Sequence, residues 1–531
     1  MDVTCTATAE NVSVTFDKEN IAEPNAANTA ATIEDRYEKL SEQSKTDIKK
    51  VLFLLDKFSG SDELYHEFTQ LYNNMPRSYM VAHYRRRMNA SYDILSLPEP
   101  FEGTRMELAP LLADDICRLF AAANIEEPSN ETVTVKISGD GAQFSSTSSF
   151  VLMTYCILFG ATNTQASSSH MSFAALKGSE TYETLRDGFK DVWTEINALI
   201  KDPTVKVGDK TVRLNIVFAA DYKFLLLTMG MNKASARYAC VWCKVADKDR
   251  HDMTKDISFY NTGPMARTHT DMTTLYKEKT TDKRLGSHQA PLLTIDLTNV
   301  VLDELHLLLR VVDRLLGCII CTAQAEDQKQ GEKKQLGTKV KCIMATIKEH
   351  VYTPFKIWLK KNENGQDTSS LDWTSIDGCI KKKLLDRLPE HFPTFMDAET
   401  AVAVKDLWIN FISVHDQLCK HGSTATDTST SAKAFINKFT ALGPVHQSYF
   451  KARVTPYMHA MAYHAPGMAE KYGSLKLFSG QGVEKNNSDS KSFYRSCNRH
   501  HAAVEWMQLP PVRLALTHVR THTHTRALTH T

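Results

Sequence analysis

Residues 132–140 read TVTVKISGD, and this stretch decides how the middle of the chain can fold. Val133, Val135 and Ile137 alternate with polar residues, the last of which is Asp140. A period of two places apolar side chains on one face and polar side chains on the other, as in a half-buried β-strand. The stretch therefore predicts a strand that carries a carboxylate at its carboxyl end.

The residues that follow continue an α/β pattern. A more apolar strand is expected at 149–158, and another strand is expected at 211–221, where it ends on Asp221. A long amphipathic helix is expected between them at 180–201, and a helical run at 225–231 comes after them. Strands that alternate with helices in this way are typical of an α/β sheet with flanking helices.

The rest of the chain is mostly helical by pattern. Helical periodicity covers residues 33–125 and most of residues 250–450, including a strongly apolar helix at 300–321. Polar stretches rich in Gly, Ser and Thr predict linkers at 362–370 and 422–431. The predicted fold class is therefore an α/β core that is interrupted by a large, mostly helical insertion and preceded by a helical region.

Changes of composition and pattern divide the chain into six predicted segments. The first residues lack apolar periodicity and are predicted to be disordered, and the last form a Thr-His low-complexity tract that resembles a translated simple repeat. The segments are a disordered lead at 1–32, a helical region at 33–128, the first part of the core at 129–235, a cysteine segment with the helical insertion at 236–450, a histidine segment with the last helix at 451–505, and a tail at 506–531.

Composition favours a folded intracellular protein. Of the 531 residues, 42% are hydrophobic and 24% are charged, which is ordinary for globular domains. The polar opening residues are unlike a signal peptide, and the longest uncharged apolar stretch, at 150–160, is too short to span a bilayer. The 11 cysteines, an odd number, favour reduced thiols over a disulfide framework. These features predict a cytosolic or nuclear protein that does not associate with a membrane.

The net charge of +1 gives no long-range attraction to nucleic acid. Any such binding has to rest on local clusters, of which Arg85–Arg87 and Lys381–Lys383 are the clearest. Runs of this kind are more often solvated helix faces than phosphate contacts. Charge alone therefore does not predict DNA binding.

Two pairs of metal-binding residue types lie far apart in the sequence. Cys240 and Cys243 form a C-x2-C pair, and His459 and His464 form an H-x4-H pair more than two hundred residues later. Both spacings are typical of zinc half-sites, although the histidines can equally be core residues. Closing so long a loop costs only about 2–3 kcal/mol on logarithmic scaling, whereas structural zinc contributes roughly 10–16 kcal/mol. The separation in sequence therefore does not exclude a joined site.

A second C-x2-C pair, Cys318 and Cys321, competes for the role of ligand. It lies inside the strongly apolar helical stretch, where buried cysteines behave as small hydrophobic residues. Cys240 and Cys243 instead follow a polar stretch and precede a charged one. This contrast favours Cys240 and Cys243 as the ligands.

Three carboxylates are candidates for the metal ligands of a nuclease. Asp140 and Asp221 end predicted strands, so neighbouring strands can bring them together, and Glu484 lies in a glycine-punctuated approach to a polar helix. Two-metal nucleases hold Mg²⁺ ions roughly 3.5–4 Å apart between such carboxylates. The alternative is that the two aspartates are turn or cap residues and that Glu484 only complements a helix dipole.

Three blocks of the sequence resemble the catalytic core of the V(D)J recombination-activating protein and the Transib-type transposases. The blocks are VKISGDG around Asp140, Asp221 with YACVWC at 238–243, and the stretch from VTPYMH at 454–459 through His464 and Glu484 to Asn487. The order and spacing of the key positions agree over residues 130–500.

The resemblance implies an RNase H-like DDE enzyme that acts on double-stranded DNA in the nucleus. Asp140, Asp221 and Glu484 are then the catalytic residues that bind Mg²⁺ or Mn²⁺, and one structural Zn²⁺ binds the cysteine and histidine pairs. Such an enzyme nicks DNA with water and then uses the freed 3′ hydroxyl to attack the opposite strand. The resemblance also implies a homodimer, since paired DNA ends need paired active sites, and it allows a second recombinase subunit.

The sequence departs from this family in several places. Its N-terminal part shows no RING-like cluster of cysteines and histidines and no clear match to the basic domain that reads a recognition sequence. Tyr222 follows Asp221 where the recombinase has a second acidic residue, and the sequence diverges after Arg499. A transposon-derived protein is therefore expected, and the alternative is a domesticated, non-catalytic DNA-binding protein. In a third, weaker hypothesis the chain is a helical interaction protein in which the cysteine and histidine pairs never meet.

Overall fold

A computed structural model describes residues 33–497 except for 59, 91, 126, 128–130, 161 and 332–335. The chain divides into two compact units, Met1–Ser91 and Tyr92–Thr531. The predicted disordered lead at 1–32 and the predicted tail at 506–531 lie outside the described residues.

The described part of the first unit contains a short helical stretch at 33–38 and the helices α1 (Glu42–Lys57), α2 (Asp62–Leu71) and α3 (Ser78–Ala90). The hydroxyl of Ser61 caps α2 by accepting a hydrogen bond of 3.0 Å from the backbone N–H of Leu64. Arg85 forms an ion pair of 2.6 Å with Asp62. The basic cluster Arg85–Arg87 is thus partly engaged within its own unit.

The second unit is built on a mixed sheet of eight strands, which confirms the predicted α/β character. Its strands are β1 (Leu95–Ser96), β2 (Gly103–Arg105), β3 (Thr132–Gln143), β4 (Ser149–Leu158), β5 (Met171–Lys177), β6 (Thr204–Val207), β7 (Lys210–Ala220) and β8 (Val300–Leu302). They follow the order β1-β2-β5-β4-β3-β7-β6, and β8 pairs with the end of β7. β3, β4 and β5 are antiparallel neighbours, whereas β7 runs parallel to both β3 and β8.

The predicted strands exist, but their ends and neighbours differ in part. The strand predicted at 149–158 has those bounds, whereas β3 continues past Asp140 to Gln143, so Asp140 lies inside a strand and not at its end. The pattern missed β5 and β6, because β5 is short and shows no clean alternation in MSFAALK. It also placed Val300–Leu302 in a helix, although these residues extend the sheet beside β7.

Helices cover the sheet and form the insertion. Those of the second unit are α4 (Leu108–Ala123), α5 (Tyr182–Gly188), α6 (Lys190–Lys201), α7 (Tyr222–Thr228), α8 (Ile257–Asn261), α9 (His269–Leu275), α10 (Thr281–Arg284), α11 (Glu304–Lys329), α12 (Thr338–His350), α13 (Gly378–Arg387), α14 (Ala398–Cys419), α15 (Ala425–Ala441), α16 (Pro456–Tyr463), α17 (Ala465–Tyr472) and α18 (Gln481–Cys497). Short 3₁₀ turns occur at 167–169, 247–249, 297–299, 388–394, 447–449, 451–453 and 475–478. In the described residues, no helix combines the length and the apolar character needed to cross a membrane.

Both predicted linkers are wrong. Part of the first belongs to a hairpin of β9 (Ile357–Lys361) and β10 (Asp367–Trp373). Most of the second is the start of α15, which Thr424 caps. Ser429 in α15 is buried and its hydroxyl donates a hydrogen bond of 2.6 Å to the backbone carbonyl of Ala462, so its polar side chain makes a packing contact.

The polar face of β3 is buried as well as its apolar face. Lys136 and Ser138 are each 1% exposed, because α18 and the segment before it pack on this side of the sheet. Tyr494 near the end of α18 packs edge-on against Phe144 and Phe150, with ring centroids 5.6 and 5.3 Å apart. This packing holds the helix that carries Glu484 against the strand that carries Asp140.

Candidate functional site

The structure joins the cysteine and histidine pairs into one buried cluster. The Sγ atom of Cys240 lies 3.3 Å from Nε2 of His464, and the Sγ atom of Cys243 lies 3.3 Å from Nε2 of His459. All four ligand atoms lie within 4.8 Å of one another. Bond lengths of 2.3 Å for Zn–S and 2.0–2.1 Å for Zn–N put S and N about 3.5 Å apart in a tetrahedral site. The cluster therefore fits a metal such as zinc.

Hydrogen bonds orient the ligands of this cluster. Nδ1 of His464 lies 2.5 Å from Oδ1 of Asn261, whose amide also donates to the backbone carbonyl of Tyr463 at 2.6 Å. Such a contact leaves Nε2 of His464 free to face a metal. Burial lowers the pKa of His459 to about 3, so its imidazole is neutral and its lone pair is available.

Two buried arginines hold the cysteine loop. Arg267 donates hydrogen bonds to the backbone carbonyls of Cys243 and Leu285 at 3.1 and 2.7 Å. Arg250 donates to the carbonyl of Ala236 at 2.8 Å. Burial lowers the pKa of both guanidinium groups, while the charge of Cys240 and Cys243 as thiolates acts in the opposite direction.

The competing cysteine pair does not take part in a metal cluster within the described residues. Cys318 is buried in α11 and donates from Sγ to the backbone carbonyl of Ser448 at 3.1 Å. Cys321, one turn later, is exposed. Burial raises the pKa of the Cys318 thiol to about 12, as expected for a neutral core cysteine.

The sheet positions the first two carboxylates. Asp140 projects from β3 opposite Leu152 of β4. Asp221 follows the last residue of β7, the parallel neighbour of β3, and its Oδ1 accepts a hydrogen bond of 2.7 Å from Phe224 N–H. Asp221 is therefore the N-cap of α7, as the alternative interpretation of the aspartates predicted. Capping uses only Oδ1, so Oδ2 is not engaged by the cap. Gly139 lets the ring of Phe224 approach β3, because a Cβ at this position would collide with it.

Buried polar contacts position the start of α18, the helix that carries Glu484. The ammonium group of Lys136 in β3 donates a hydrogen bond of 2.9 Å to the carbonyl of Ser479. Asp303 accepts one of 2.7 Å from the N–H of Gly480. A side chain at Gly480 would collide with the Asp303 carboxylate, so this close approach requires glycine. Three segments distant in sequence thus meet at the first turn of α18.

A largely buried histidine completes this group, and sequence reasoning predicted no role for it. Nδ1 of His306 lies 2.7 Å from Oδ2 of Asp303, and Nε2 lies 3.5 Å from Oε1 of Glu484. Burial lowers the pKa of His306, but the charges of Asp303, Asp221 and Glu484 outweigh burial and raise it to about 9. His306 is therefore protonated at neutral pH and faces the carboxylates as a cation.

The carboxylates affect one another electrostatically. The pKa of Asp140 rises to about 7, first because of burial and then because of the negative charges of Asp221, Glu180 and Glu484. Burial also raises the pKa of Glu484, although His306 partly offsets this. A carboxyl group that is hard to ionise for these reasons is one that a bound cation stabilises in its charged form.

Two further oxygen-bearing side chains face this group, and sequence reasoning did not select them. Glu180 is largely buried, and its Oε2 accepts from the ammonium of Lys223 at 2.9 Å. Asn487, one turn after Glu484, donates a hydrogen bond of 2.6 Å to Oδ2 of Asp140. Oε1 of Glu180 and Oδ1 of Asn487 are buried without a hydrogen-bond partner within the described residues. Spare carboxylate and amide oxygens are the donors that a hard divalent cation such as Mg²⁺ prefers.

The acidic group is more open than the cysteine-histidine cluster. Within the described residues, Asp140, Asp221 and Glu484 do not form a set whose ligand atoms all lie within 4.8 Å of one another. The Glu484 side chain is 47% exposed. Two ions roughly 3.5–4 Å apart need ligands spread over a wider span than one ion does. The acidic group is therefore more dispersed and more exposed than the cysteine-histidine cluster.

A third group, Glu304, His415 and Cys419, also brings possible ligand atoms within 4.8 Å. Nε2 of His415 lies 2.8 Å from Oε1 of Glu304. The charges of Lys136 and His306 lie next to Asp303 and Glu304, so the buried carboxylates are already compensated. This group is a hydrogen-bonded cluster of partly buried side chains behind the start of α18.

Tyr222 links the two sites, at the position where the resemblance led us to expect an acidic residue. It is buried, and its hydroxyl donates a hydrogen bond of 3.0 Å to the carbonyl of Ala239, next to Cys240. Its N–H donates to the hydroxyl of Tyr457, in the helix that carries His459, at 3.3 Å. The residue after Asp221 therefore contacts both halves of the cysteine-histidine cluster.

Comparison of the chain with protein-family models gave no match, and comparison with curated proteins gave no match either. Its function therefore has to be argued from the geometry of these two sites.

Proposed function

We propose that this chain is an RNase H-like DNA transposase or recombinase of the DDE type, in which Asp140, Asp221 and Glu484 are the catalytic carboxylates. The observation that carries the proposal is the packing of α18 against β3, in which Asn487, one turn after Glu484, donates a hydrogen bond of 2.6 Å to Asp140. Asp221, Glu180 and Glu484 lie close enough to Asp140 to contribute to its raised pKa, after burial. Carboxylates that raise one another's pKa are typical of functional sites.

The sheet supports the RNase H-like part of the proposal. Asp140 lies on a central strand that has an antiparallel neighbour on one side and the parallel β7 on the other. Asp221 follows β7 directly. Glu484 lies on α18, the helix that packs against β3, the strand of Asp140. The third carboxylate is 263 residues beyond the second, so a helical insertion separates them as the resemblance implies.

The chain's own residues would bind and orient a phosphodiester here. Asp140, Asp221 and Glu484 would hold two Mg²⁺ or Mn²⁺ ions, which activate the attacking oxygen and stabilise the leaving oxygen when bound. His306 is protonated and hydrogen-bonded to Asp303, so its imidazole ring is held in place. Its Nε2 faces Oε1 of Glu484 and would orient that carboxylate. In the nicking step the oxygen of water bonds to phosphorus, and the 3′ oxygen leaves and takes up a proton.

The cysteine-histidine cluster has a scaffolding role in this proposal. Zn²⁺ bound by Cys240, Cys243, His459 and His464 would join the loop after α7 to α16. Tyr222 then connects that junction to Asp221. A carboxylate supplied from a distant part of the chain needs rigid support of this kind to stay within catalytic reach.

The direct test is nicking of supercoiled plasmid by purified protein in the presence of Mg²⁺ or Mn²⁺. We expect conversion to open circles by the wild type, and loss of at least about a hundredfold in rate for Asp140→Asn and Glu484→Gln. Asp209→Asn, an exposed aspartate in the turn between β6 and β7, is the matched control. Nicking that persists in the first two variants would overturn the assignment.

A second candidate is a non-catalytic, zinc-stapled DNA-binding protein. The protonated His306 favours it, because an internal cation can balance the carboxylates without a metal. This candidate predicts DNA binding and bound zinc with no cleavage in either metal. The plasmid assay separates the two functions. The first proposal also includes that the protein acts on double-stranded DNA in the nucleus and that two chains form a dimer.

A further inference from the structure

A large cleft opens beside Asp221. Its volume is about 1070 Å³, and its walls are formed by the first residues of α7, one face of α11 and the stretch from 445 to 457. This volume is at the upper end of the roughly 300–1,000 Å³ that is typical of small-molecule sites. Asp221, a proposed catalytic residue, lies on the wall of this cleft.

The acidic residues that line the cleft already have partners. Asp313 forms an ion pair of 2.7 Å with Lys381, a contact that buries this lysine instead of leaving it solvated. Glu326 pairs with Lys339. Asp397 caps α14 by accepting a hydrogen bond of 2.9 Å from Thr400 N–H. The two ion pairs compensate the negative charges of Asp313 and Glu326 on the wall.

Three arginines on the wall have no such compensation. Arg310, Arg314 and Arg453 line the cleft, and none of them has a carboxylate within ion-pair distance in the part of the chain that the structure describes. Nε of Arg314 is buried without a hydrogen-bond partner among these residues. Guanidinium groups that face a cleft with unused donors are suited to bidentate recognition of phosphate.

We propose that this arginine cleft binds the phosphate backbone of the DNA strand that leads away from the carboxylates, with Arg310, Arg314 and Arg453 as its phosphate contacts. The proposal rests on the proposed function, since it adds to that site the path of its substrate.

The spacing of these groups suits a strand. Arg310 and Arg314 lie one turn apart on the same face of α11, about 6 Å along the helix axis. Arg310 is the arginine whose charge acts on Tyr457 beside Asp221, while Arg314 and Arg453 act on Cys318 further along α11. Since α11 starts beside the carboxylates, where His306 faces Glu484, Arg310 and Arg314 lie progressively further from them along the helix. Trp373, whose ring lies against Gly317, adds an aromatic surface of the kind on which bases stack.

The test is fluorescence anisotropy with a labelled DNA duplex and its separate strands, measured without divalent ions at several salt concentrations. Arg314→Gln and Arg453→Gln are each expected to weaken binding roughly five- to tenfold. Each is also expected to reduce the slope of log affinity against log salt by about 0.7–0.9. Arg186→Gln is the matched control, because Arg186 is exposed on α5, does not line the cleft, and forms an ion pair with its neighbour Asp187. Arg453→Lys keeps the charge and should retain most of the salt slope.

Bound zinc and thermal unfolding are recorded for every variant to show that it is folded. If folded Arg314→Gln and Arg453→Gln bind DNA with the affinity and salt slope of the wild type, the cleft is not a DNA-binding site. This conclusion would hold even if the wild type nicks plasmid. If these variants lose affinity while the wild type nicks nothing, the cleft stands and the proposed function fails.

Discussion

The cysteine-histidine cluster and the acidic group differ in how completely the chain builds them. In the first, four ligand atoms lie within 4.8 Å of one another, all are buried, and Asn261 and Arg267 hold the elements that carry them. In the second, the carboxylates are spread out, Glu484 is half exposed, and oxygens of Glu180 and Asn487 lack partners. A structural metal needs a closed site, whereas a catalytic site has to leave room for substrate. This contrast supports our proposal, in which the first site stabilises the fold and the second carries the chemistry.

The largest effect should come from breaking the closed site. Cys243→Ala is expected to lower the free energy of unfolding by about 5 kcal/mol or more, because structural zinc contributes roughly 10–16 kcal/mol. Metal analysis should show about one zinc ion per chain in the wild type and almost none in the variant. Cys321→Ser, in the other C-x2-C pair, should keep both zinc and stability. Equal zinc in all three proteins would show that the cluster is not the metal site.

The support beneath α18 should be the next most sensitive feature. Lys136→Met removes the buried ammonium that bonds Ser479 and leaves the charges of Asp303 and Glu304 less compensated. Breaking a buried charge network in this way costs about 3–5 kcal/mol. Urea unfolding measures the loss, and Lys206→Met on the exposed side of β6 is the control. If Lys136→Met unfolds like the wild type, Lys136 does not position α18.

His306 should make stability depend on pH. Its pKa is about 9 in the fold and 6.5 when unperturbed, so its stabilising contribution is fully present below 6.5 and is lost as pH rises through 9. The loss is at most about 3 kcal/mol. Without added Mg²⁺, His306→Gln should flatten the decline of unfolding free energy between pH 6.5 and 9, whereas His288→Gln, an exposed histidine, should leave it unchanged. An equally steep decline in His306→Gln would contradict the position of the imidazolium.

The smallest expected effect is a gain in stability. Asp140 has a pKa of about 7 in the fold against 3.8 when unperturbed, so the metal-free fold loses stability as pH rises from about 4 to 7. At pH 8, Asp140→Asn removes a repelled carboxylate and should raise the free energy of unfolding by about 1–3 kcal/mol. At pH 4 the change should be close to zero. Destabilisation at pH 8 would mean that Asp140 stabilises the fold without a metal.

The sequence predicted the parts of the site that local patterns encode. The C-x2-C and H-x4-H spacings and the strands that carry Asp140 and Asp221 are all visible within a few residues. The pattern could not reveal contacts that depend on packing across the chain. Lys136 contacts Ser479, which is 343 positions away in the sequence. The position of His306 depends on Asp303, which caps α11 and also accepts a hydrogen bond from Gly480.

The same limit explains the errors in the fold. β8 was assigned to a helix because its three apolar residues run into the apolar pattern of α11, and only pairing with β7 makes them a strand. The start of α15 looked like a linker because Thr and Ser are common in loops. Its buried Ser429 satisfies its hydroxyl through a helix that is distant in sequence.

The most direct test of the contrast between the two sites is Mn²⁺ binding to zinc-loaded protein, followed by electron paramagnetic resonance at pH 8. The wild type is expected to bind Mn²⁺ while its zinc content stays constant. Asp140→Asn and Glu484→Gln should lose Mn²⁺ binding and keep their zinc. Mn²⁺ binding that is unchanged in both variants, or that occurs only as zinc is displaced, would contradict the assignment of the acidic group as the catalytic metal site.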